Sequence, residues 1–339
     1  MRRMIRIFLA LIVVVIGMVA VVGWWGHQWL EQPIVQITQP VTFEVPRGAS
    51  LRAVASDLHQ RGWLEQPQLW TLWARVNGRS AALKAGEYQL MPGVTPNSLL
   101  QQLGSGVVLL HAITFIEGST FADIRVLLSR NDAVRLTLQN AGPEEVMREL
   151  GDPGVHPEGQ FFPDTYHFPR GTTDREILAI AHRRMQDELR AVWAARAADL
   201  PLASSYEALI LASIVEKETA LVSERPLIAG VFVERLRRGM RLQTDPTVIY
   251  GIGTAYDGNI RRSDLITDTP YNTYTRAGLP PTPIALPGLD SLRAAVNPQS
   301  SGAIFFVATG NGDGSHHFSA TLSEHEAAVQ RYLRKLRQR

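Results

Sequence analysis

The chain has 339 residues, of which 34 are basic and 32 acidic, and its formal net charge is +2 at pH 7. A chain of this length can form two or three domains, each with its own hydrophobic core. It contains no cysteine, which excludes disulfides, thiolate metal sites and cysteine nucleophiles.

The N-terminus has the pattern of a membrane anchor. Three arginines within the first six residues precede an uncharged run of 19 residues, 7–25, long enough to cross a hydrocarbon core of about 30 Å. No further Lys or Arg occurs before Arg47, and this asymmetry favours a cytoplasmic N-terminus. Trp24 and Trp25 stand where a signal peptide has small cleavage-site residues, so we expect an uncleaved anchor. The prediction is a cytoplasmic segment 1–6, a single inner (plasma) membrane span 7–29, a linker 30–40 and a periplasmic body.

Residues 41–106 are predicted to form a small strand–helix module. Phe43–Pro46 alternates like a strand, and Ser50 can cap a helix whose apolar stripe is Leu51, Val54, Ala55 and Leu58. A similar pattern recurs over residues 113–128, where Thr120 is the cap and Phe121, Ile124 and Leu128 form the stripe. The first copy resembles a LysM-like module, whose known members bind glycan chains of N-acetylated sugars. A generic strand–helix unit explains the same pattern.

A larger mixed region follows. Residues 157–169 are rich in proline and aromatic side chains without helical periodicity, which indicates an ordered loop or short strands. We expect a helix over 174–196, with Ile177, Ile180, Ala181 and Met185 facing inward, and a second over 224–238, capped by Ser223. Residues 241–284 are expected to be loop-rich, and residues 303–308 and 316–319 to pair as a hairpin. Their aromatic and amide side chains suit a carbohydrate site, but an irregular core has the same composition.

The helix predicted over residues 207–218 is almost wholly apolar and ends in carboxylates. Ser204 and Glu207 have the spacing of a capping box at its start. Glu218 falls on the stripe of Leu211 and Ile214, whereas Glu216 points about 200° away from that stripe. A carboxyl group on a buried stripe loses hydration, so the pKa of Glu218 should rise and the group could hold a proton near neutral pH. The alternative interpretation is an exposed Glu–Lys–Glu helix end.

Five blocks of this sequence together resemble the YceG-like endolytic murein transglycosylases (MltG). They are Glu158–Tyr166, Ala212–Glu218, Leu242–Gly251, Tyr271–Ile284 and Phe305–Phe318. One departure is the run Ala285–Gly288, where many members have Asn-Pro-Gly. The resemblance spans nearly the whole chain and implies an α+β fold with a YceG-like catalytic domain over residues 107–339.

The resemblance implies cleavage, without water, of the β-1,4 bond between N-acetylmuramic acid and N-acetylglucosamine in peptidoglycan strands. The product then carries a 1,6-anhydromuramoyl end, and the cut terminates elongation of nascent strands. Glu218 is the implied catalytic acid and base, with no cofactor and no metal. Candidate substrate-binding residues in these blocks are Glu158, Gln243, Thr244, Asp245, Tyr250, Asn272, Tyr274 and His317. Expected partners are glycan strands, the membrane and peptidoglycan synthases, with no nucleic acid.

Other residues of the sequence are compatible with different functions. A hydrolase would need a second carboxyl group about 5–10 Å away, and Asp245 is the candidate, although an Asp before Pro246 is typical of a turn. His316, His317, Glu324 and His325 could suggest zinc, but they lack the His-Glu-x-x-His spacing. Ser213 has no Gly-x-Ser-x-Gly setting. A membrane-tethered scaffold that binds peptidoglycan without cleaving it would explain the anchor but not a buried acid.

Overall fold

The structure is a computed structural model that describes residues 2–78 and 83–338. It mixes helices and strands, and 50% of it is helical. The helices are α1 (Arg2–Glu31), α2 (Leu51–Gln60), α3 (Pro67–Val76), α4 (Pro96–Ser105), α5 (Phe121–Ser129), α6 (Pro143–Glu149), α7 (Asp174–Ala194), α8 (Ser205–Glu218), α9 (Arg225–Arg237), α10 (Asp245–Ile252), α11 (Arg262–Ile266), α12 (Leu289–Val296) and α13 (Leu322–Arg337). The strands are β1 (Val41–Val45), β2 (Gly86–Leu90), β3 (Leu110–Thr114), β4 (Val134–Arg135), β5 (Thr165–Pro169), β6 (Thr172–Thr173), β7 (Phe305–Ala308) and β8 (His316–Ser319).

The chain forms two compact units. Unit 1 comprises Met1–His111 with His167–Gly171, and unit 2 comprises Ala112–Tyr166 with Thr172–Arg339. Strands β3 and β5 pair with each other, and each runs from one unit into the other. The domain boundaries expected from the sequence stay predictions.

The predicted anchor is a single helix in unit 1. Within α1, residues 6–31 have a mean hydropathy of 2.9 over their most apolar stretch, and none of that stretch is buried. This helix is long and apolar enough to cross a membrane. The last turn of α1 packs on the rest of unit 1. Leu30 is buried there, and Glu31 accepts a hydrogen bond of 2.6 Å from the Asn97 side chain.

The rest of unit 1 is built around an antiparallel pair of strands. Strands β1 and β2 pair from Val41 opposite Leu90 to Val45 opposite Gly86. The expected stripe of α2 is fully buried against this pair, and Ser50 accepts a hydrogen bond of 3.2 Å from the backbone N–H of Ala53, as the capping pattern predicted. Helices α3 and α4 complete the core, where the buried indole of Trp70 donates to the carbonyl of Pro96 at 2.7 Å.

Unit 2 is organised around α8. Residues 208–215 of this helix are all buried, and α7, α9 and α12 pack around it. Gly230 of α9 lies directly beneath the backbone carbonyl of Gln299, and a side chain there would clash with it. The same segment is tied to α9 by the Gln299 N–H, which donates to the Pro226 carbonyl at 2.9 Å. Helix α8 is therefore enclosed over residues 208–215, and only its first and last turns reach a surface.

Several predicted elements of unit 2 are confirmed and others need correction. The cap at Thr120, the stripe of α5 and the β7–β8 hairpin are confirmed. The inward orientation of Ile180 is wrong, since its side chain is 50% exposed. Ser223 lies in a short 3-10 turn and does not cap α9, which begins at Arg225. The region predicted to be loop contains α10, because Pro246 in the first turn of a helix is as favourable as in a loop.

Candidate active site

Glu218 is the last residue of α8. The helix begins after Ser204, whose hydroxyl accepts a hydrogen bond of 3.3 Å from the Glu207 N–H. The Glu207 carboxylate bonds to the N–H of Ala203 rather than closing the capping box. The chain leaves the helix at Thr219, which has an extended backbone. The buried helix therefore carries the Glu218 side chain to its end with little freedom of position.

The surroundings of Glu218 favour a proton on its carboxyl group. The side chain keeps partial access to solvent, but the protein packed around it raises its pKa to about 7, chiefly through desolvation. A hydrogen bond donated by the Thr244 hydroxyl and the positive charges of His316 and Arg235 act in the opposite direction. The raised pKa expected from the helix pattern is confirmed.

A network of threonines fixes the hydroxyl that contacts Glu218. The Thr244 N–H donates to the Thr273 hydroxyl at 3.1 Å, and the Thr247 hydroxyl donates to the Thr244 carbonyl at 2.7 Å. The Gln243 N–H donates to the Thr273 carbonyl at 3.2 Å. Gln243 has a φ of 50°, which is uncommon for a residue other than glycine and turns the chain sharply into α10. Thr244 and Thr247 are buried, so the surrounding protein also restricts the position of the Thr244 hydroxyl.

Asp245 stands beside this network at the start of α10. It is exposed, and its carboxylate accepts a hydrogen bond of 2.6 Å from the Tyr274 hydroxyl. Desolvation and the Asp245 carboxylate raise the pKa of Tyr274, so the phenol stays protonated and remains a donor. The negative charge of Asp245 also raises the pKa of Glu218. Asp245 and Tyr274 thus belong to the electrostatic surroundings of Glu218, and they are hydrogen-bonded to each other.

Glu158 is a second carboxyl group with a raised pKa, but its side chain supports the fold. It is 3% exposed and accepts hydrogen bonds of 3.0 Å from the Phe121 N–H and from the Tyr250 hydroxyl. Desolvation raises its pKa to about 7. Glu158 therefore ties the start of α5 to Tyr250 of α10 and is covered by both.

Two other candidates differ in their surroundings. Asn272 is 1% exposed, and it shapes a loop, because its amide NH2 donates to the carbonyls of Asp264, Leu265 and Thr267 and its amide oxygen accepts from the Tyr274 N–H. His317 is exposed and contacts Arg331. The neighbouring His316 is the histidine whose charge affects Glu218. Its Nδ1 lies 2.7 Å from the Glu224 carboxylate, and its N–H donates to the same group at 2.9 Å. The two adjacent histidines could not be separated from sequence, because alternation along a strand does not say which face turns inward.

An open cleft of about 750 Å³ lies along one side of the end of α8. Lys217 lines it, with aromatic and apolar side chains that include Ile249, Tyr250, Tyr256, Tyr271 and Ile284. Of the predicted substrate-binding residues, Tyr250 lines this cleft; Glu218 does not, and it is the preceding residue, Lys217, that brings the end of α8 to the cleft. A smaller cavity of about 180 Å³ beneath α5 contains none of them. The larger cleft is therefore the candidate place for a ligand.

Glu216 is not part of an exposed helix end. Its carboxylate accepts hydrogen bonds from Arg225 at 2.8 Å and from the Gly288 N–H at 2.9 Å, and the side chains of Glu216 and Arg225 are 5% and 6% exposed. Glu117 approaches the same guanidinium at 3.5 Å and fills the space where a Gly288 side chain would be. This buried cluster joins the end of α8 to the starts of α9 and α12. The exposed interpretation is wrong for Glu216 and holds for Lys217.

The residues that suggested a serine hydrolase or a zinc site have structural contacts instead. Ser213 donates to the Ile210 carbonyl at 2.7 Å and accepts from the Ile284 N–H at 3.0 Å, both in the core. Glu324 caps α13, and the His325 ring stacks on Phe305. Across residues 2–78 and 83–338, no group of three or more His, Cys, Asp or Glu is arranged to hold a metal ion.

The sequence model of the YceG-like family matches residues 43–331. This chain belongs to that family. An endolytic murein transglycosylase of Bacillus subtilis is 30% identical over 326 residues, which are 91% of this chain and 89% of that protein. An endolytic murein transglycosylase of Streptococcus pneumoniae is 25% identical over 97% of this chain and 66% of its own length. A crystal structure of a yceG-like protein from Listeria monocytogenes has a TM-score of 0.48 and 29% identity, covering 85% of this chain and 99% of that one.

In this YceG-like protein, the blocks that carry the family resemblance meet around the end of α8. Thr244 reaches Glu218 from one block, and Ile284 of another bonds to Ser213 on the same helix. Tyr250 contacts Glu158 and packs edge-on against Tyr271, with ring centres 4.8 Å apart. Segments far apart in sequence thus contact α8 or one another.

Proposed function

We propose that this protein is an endolytic lytic transglycosylase that cleaves peptidoglycan glycan strands and that Glu218 performs its proton transfers. The observation that carries the proposal is a carboxyl group with a pKa of about 7 at the end of a buried helix whose preceding residue, Lys217, lines an open cleft with several tyrosines. Relatives named endolytic murein transglycosylases support the reaction and the substrate class.

The proposed reaction needs one carboxyl group in two roles. Protonated Glu218 donates its proton to the glycosidic oxygen while the bond between that oxygen and C1 of the N-acetylmuramoyl residue breaks. The 2-acetamido oxygen stabilises the positive charge at C1, as in substrate-assisted glycosidases. The Glu218 carboxylate then takes the proton of the C6 hydroxyl, and the bond between O6 and C1 closes the anhydro ring. Glu218 ends protonated, and no water is consumed.

The network around Glu218 fits this cycle. Because Thr244 donates a hydrogen bond to the carboxyl group, it stabilises the carboxylate formed after the first proton transfer. The buried Arg235 donates to the carbonyls of Ile304 and Leu242, each at 2.7 Å, so its charge is held near Glu218 without neutralising it. Desolvation keeps the acid protonated before the reaction, and these groups lower the energy of the ionised state during it.

Analysis of the products tests the proposal. Full-length protein in detergent is incubated with purified sacculi, and the soluble products are weighed. We expect anhydro-ended muropeptides, whose mass is lower by one water than the products of a hydrolase. Glu218→Gln should reduce cleavage by about 10²–10⁴-fold, the usual loss when a general acid is removed. Reducing-end products would indicate a hydrolase that uses Asp245, and retention of glycan without any release would indicate a scaffold.

We also propose that α1 anchors the enzyme with its N-terminus in the cytoplasm and the rest of the chain in the periplasm. The three arginines before the apolar run support this orientation. Protease added to spheroplasts should digest the body of the protein, and the purified native chain should begin at its original N-terminus. A mature terminus near Trp24 would contradict the anchor.

We propose that residues 41–106 form a LysM-like module that binds glycan. Helices α2 and α3 lie between the paired strands β1 and β2, and the hydrophobic core of these elements, which also includes Leu30, Ile34 and Ile37, is separate from that of unit 2. A segment of residues 27–111, which keeps the buried Leu30, Ile34 and Ile37, should be retained by sacculi in a pull-down without cleaving them. Circular dichroism is the control for folding. A folded segment that is not retained would contradict the proposal.

A further inference from the structure

Lys217 is the cation of the large cleft. Its side chain is exposed and lines the cleft, while Nζ donates a hydrogen bond of 3.1 Å to the Gly118 carbonyl. Among the described residues, no carboxylate oxygen lies within 4.0 Å of this Nζ. An ammonium group has three donors, so Lys217 is held in place by one hydrogen bond and has two left for a ligand.

Among the described residues that line the cleft, Lys217 has the only positively charged side chain that could bind an anion. The only other charged side chain there is Asp123, whose carboxylate caps α5 by accepting from the N–H and the hydroxyl of Thr120 at 2.8 and 2.7 Å. Tyr250 and Tyr271 have hydroxyl partners in Glu158 and Thr282, so these tyrosines present ring surface to the cleft. The site therefore combines aromatic surface with one free positive charge, which suits a sugar that bears a carboxylate.

We propose that Lys217 binds a carboxylate on the 3-O arm of the N-acetylmuramoyl residue that is cleaved. The inference rests on the proposed function, since it assumes that Glu218 acts at C1 of that residue. Lys217 and Glu218 are consecutive, with Cα atoms about 3.8 Å apart. Their side chains leave the helix about 100° apart, and only Lys217 lines the cleft. The proposal therefore requires a muramoyl ring that lies across the end of α8, with C1 at Glu218 and its C3 substituent turned toward Lys217.

The carboxylate can come from two sources. In peptide-free strands it is the carboxylate of the lactyl group itself, and in peptide-bearing strands it belongs to the attached peptide. N-acetylglucosamine oligomers have neither. Lys217 would thus act as a specificity residue that distinguishes muramoyl strands from uncharged glycans of the same backbone.

Three variants test the role of the charge in the full-length enzyme. Lys217→Met keeps the aliphatic stem but removes the ammonium group, Lys217→Arg restores a cation, and Lys335→Met is the matched control. Lys335 is likewise tethered to a backbone carbonyl, that of Thr309 at 3.0 Å, but lies on α13 outside the cleft lining. KM and kcat are measured with peptide-free and with peptide-bearing soluble glycan, and Ki is measured for an N-acetylglucosamine oligomer as a competitive inhibitor.

We expect Lys217→Met to raise KM about 10-fold, in the range of a lost hydrogen bond to a charged group, with little change in kcat. The increase should shrink at high salt, Lys217→Arg should restore most of the affinity, and the Ki of the uncharged oligomer should not change. An effect only with peptide-free glycan identifies the lactyl carboxylate, and one only with peptide-bearing glycan identifies the peptide. An unchanged KM with both glycans, or an equal loss for the uncharged oligomer, would overturn the inference.

Chemical protection gives an independent measurement. The chain has only three lysines, Lys84, Lys217 and Lys335, so acetylation can be followed at each by mass spectrometry. In the Glu218→Gln protein, bound glycan should protect Lys217 but not Lys335, and unprotected Lys217 would reject the proposal. If wild-type enzyme releases no anhydro-ended product from any glycan, the proposed function fails; if it does but Lys217 behaves like Lys335, only this inference fails.

Discussion

Glu216 and Glu218 are separated by one residue in the last turn of α8, but only Glu216 has an arginine partner. Its carboxylate is paired with Arg225 at 2.8 Å, whereas the Glu218 carboxyl group is hydrogen-bonded to the neutral hydroxyl of Thr244. An adjacent guanidinium would stabilise the carboxylate and lower its pKa, and Glu218 lacks one in contact. The same helix end thus carries one glutamate whose contacts hold three helices together and a second whose carboxyl group can exchange a proton.

The pH dependence of cleavage should follow the ionisation of Glu218. The group must be protonated to act as the acid, and its pKa is raised to about 7. The rate with soluble glycan should therefore be level below pH 7 and fall about tenfold per pH unit well above it. Initial rates from pH 5 to pH 9 measure this. A rate that rises between pH 7 and pH 9 would show that the ionised form starts the reaction and would contradict the assignment.

Thr244 should set the acid strength of Glu218. Thr244→Val removes the hydroxyl that donates to the carboxyl group, and that hydrogen bond lowers the pKa of Glu218. The alkaline limb of the rate profile should therefore move to higher pH and the plateau should decrease. Thr244→Ser keeps the hydroxyl and serves as the control. A profile of Thr244→Val that coincides with that of the wild type would exclude this role.

Glu216→Gln should destabilise the protein. The substitution leaves the guanidinium of Arg225 buried without its main counter-ion, and the loss of one partner of a buried pair costs roughly 3–5 kcal/mol. Glu117 at 3.5 Å from Arg225 should keep the loss near the lower value. Urea unfolding measures the effect, and Glu326→Gln on exposed surface is the control. If the two variants unfold at the same urea concentration, the ion pair contributes no stability.

The sequence predicts the parts of this fold that depend on local periodicity. The stripe of α2, the cap at Thr120 and the burial of α8 are all visible as patterns of apolar residues. The environment of Glu216 is not, because Arg225 and Gly288 reach it only when α9 and α12 pack against α8. The helical angle predicts correctly that Glu216 points away from Glu218, but it does not predict which residues pack against Glu216. The same limit applies to α10, where the local signals for a turn and for a helix start coincide.

The adjacent histidines should differ in their effect on catalysis. His316 is held by Glu224, and its positive charge when protonated lowers the pKa of Glu218, whereas His317 is exposed and contacts Arg331. His316→Gln should therefore move the alkaline limb of the rate profile to higher pH, and His317→Gln should leave it in place. The same rate measurements from pH 5 to pH 9 compare the two. An equal shift in both variants would mean that neither acts through Glu218.

Glu158 should make the stability of the enzyme depend on pH. Its pKa is about 7 in the folded protein and 4.5 when unperturbed, so the folded state binds the proton more tightly than the unfolded state. Stability from this group is therefore present below pH 4.5 and is lost as the pH rises through 7. The shift corresponds to about 3 kcal/mol.

Glu158→Gln cannot ionise; its amide oxygen can accept from the Phe121 N–H, and its NH2 group can donate to the Tyr250 hydroxyl oxygen, which takes the place of the hydrogen bond that Tyr250 donates in the wild type. Relative to the wild type, this variant should gain about 2.5 kcal/mol in its free energy of unfolding between pH 5 and pH 8. Urea unfolding of both proteins at several pH values gives the difference. Exposed Glu326→Gln should show no such gain. A constant difference between the wild type and Glu158→Gln across that range would mean that Glu158 ionises as easily in the folded protein as in the unfolded chain.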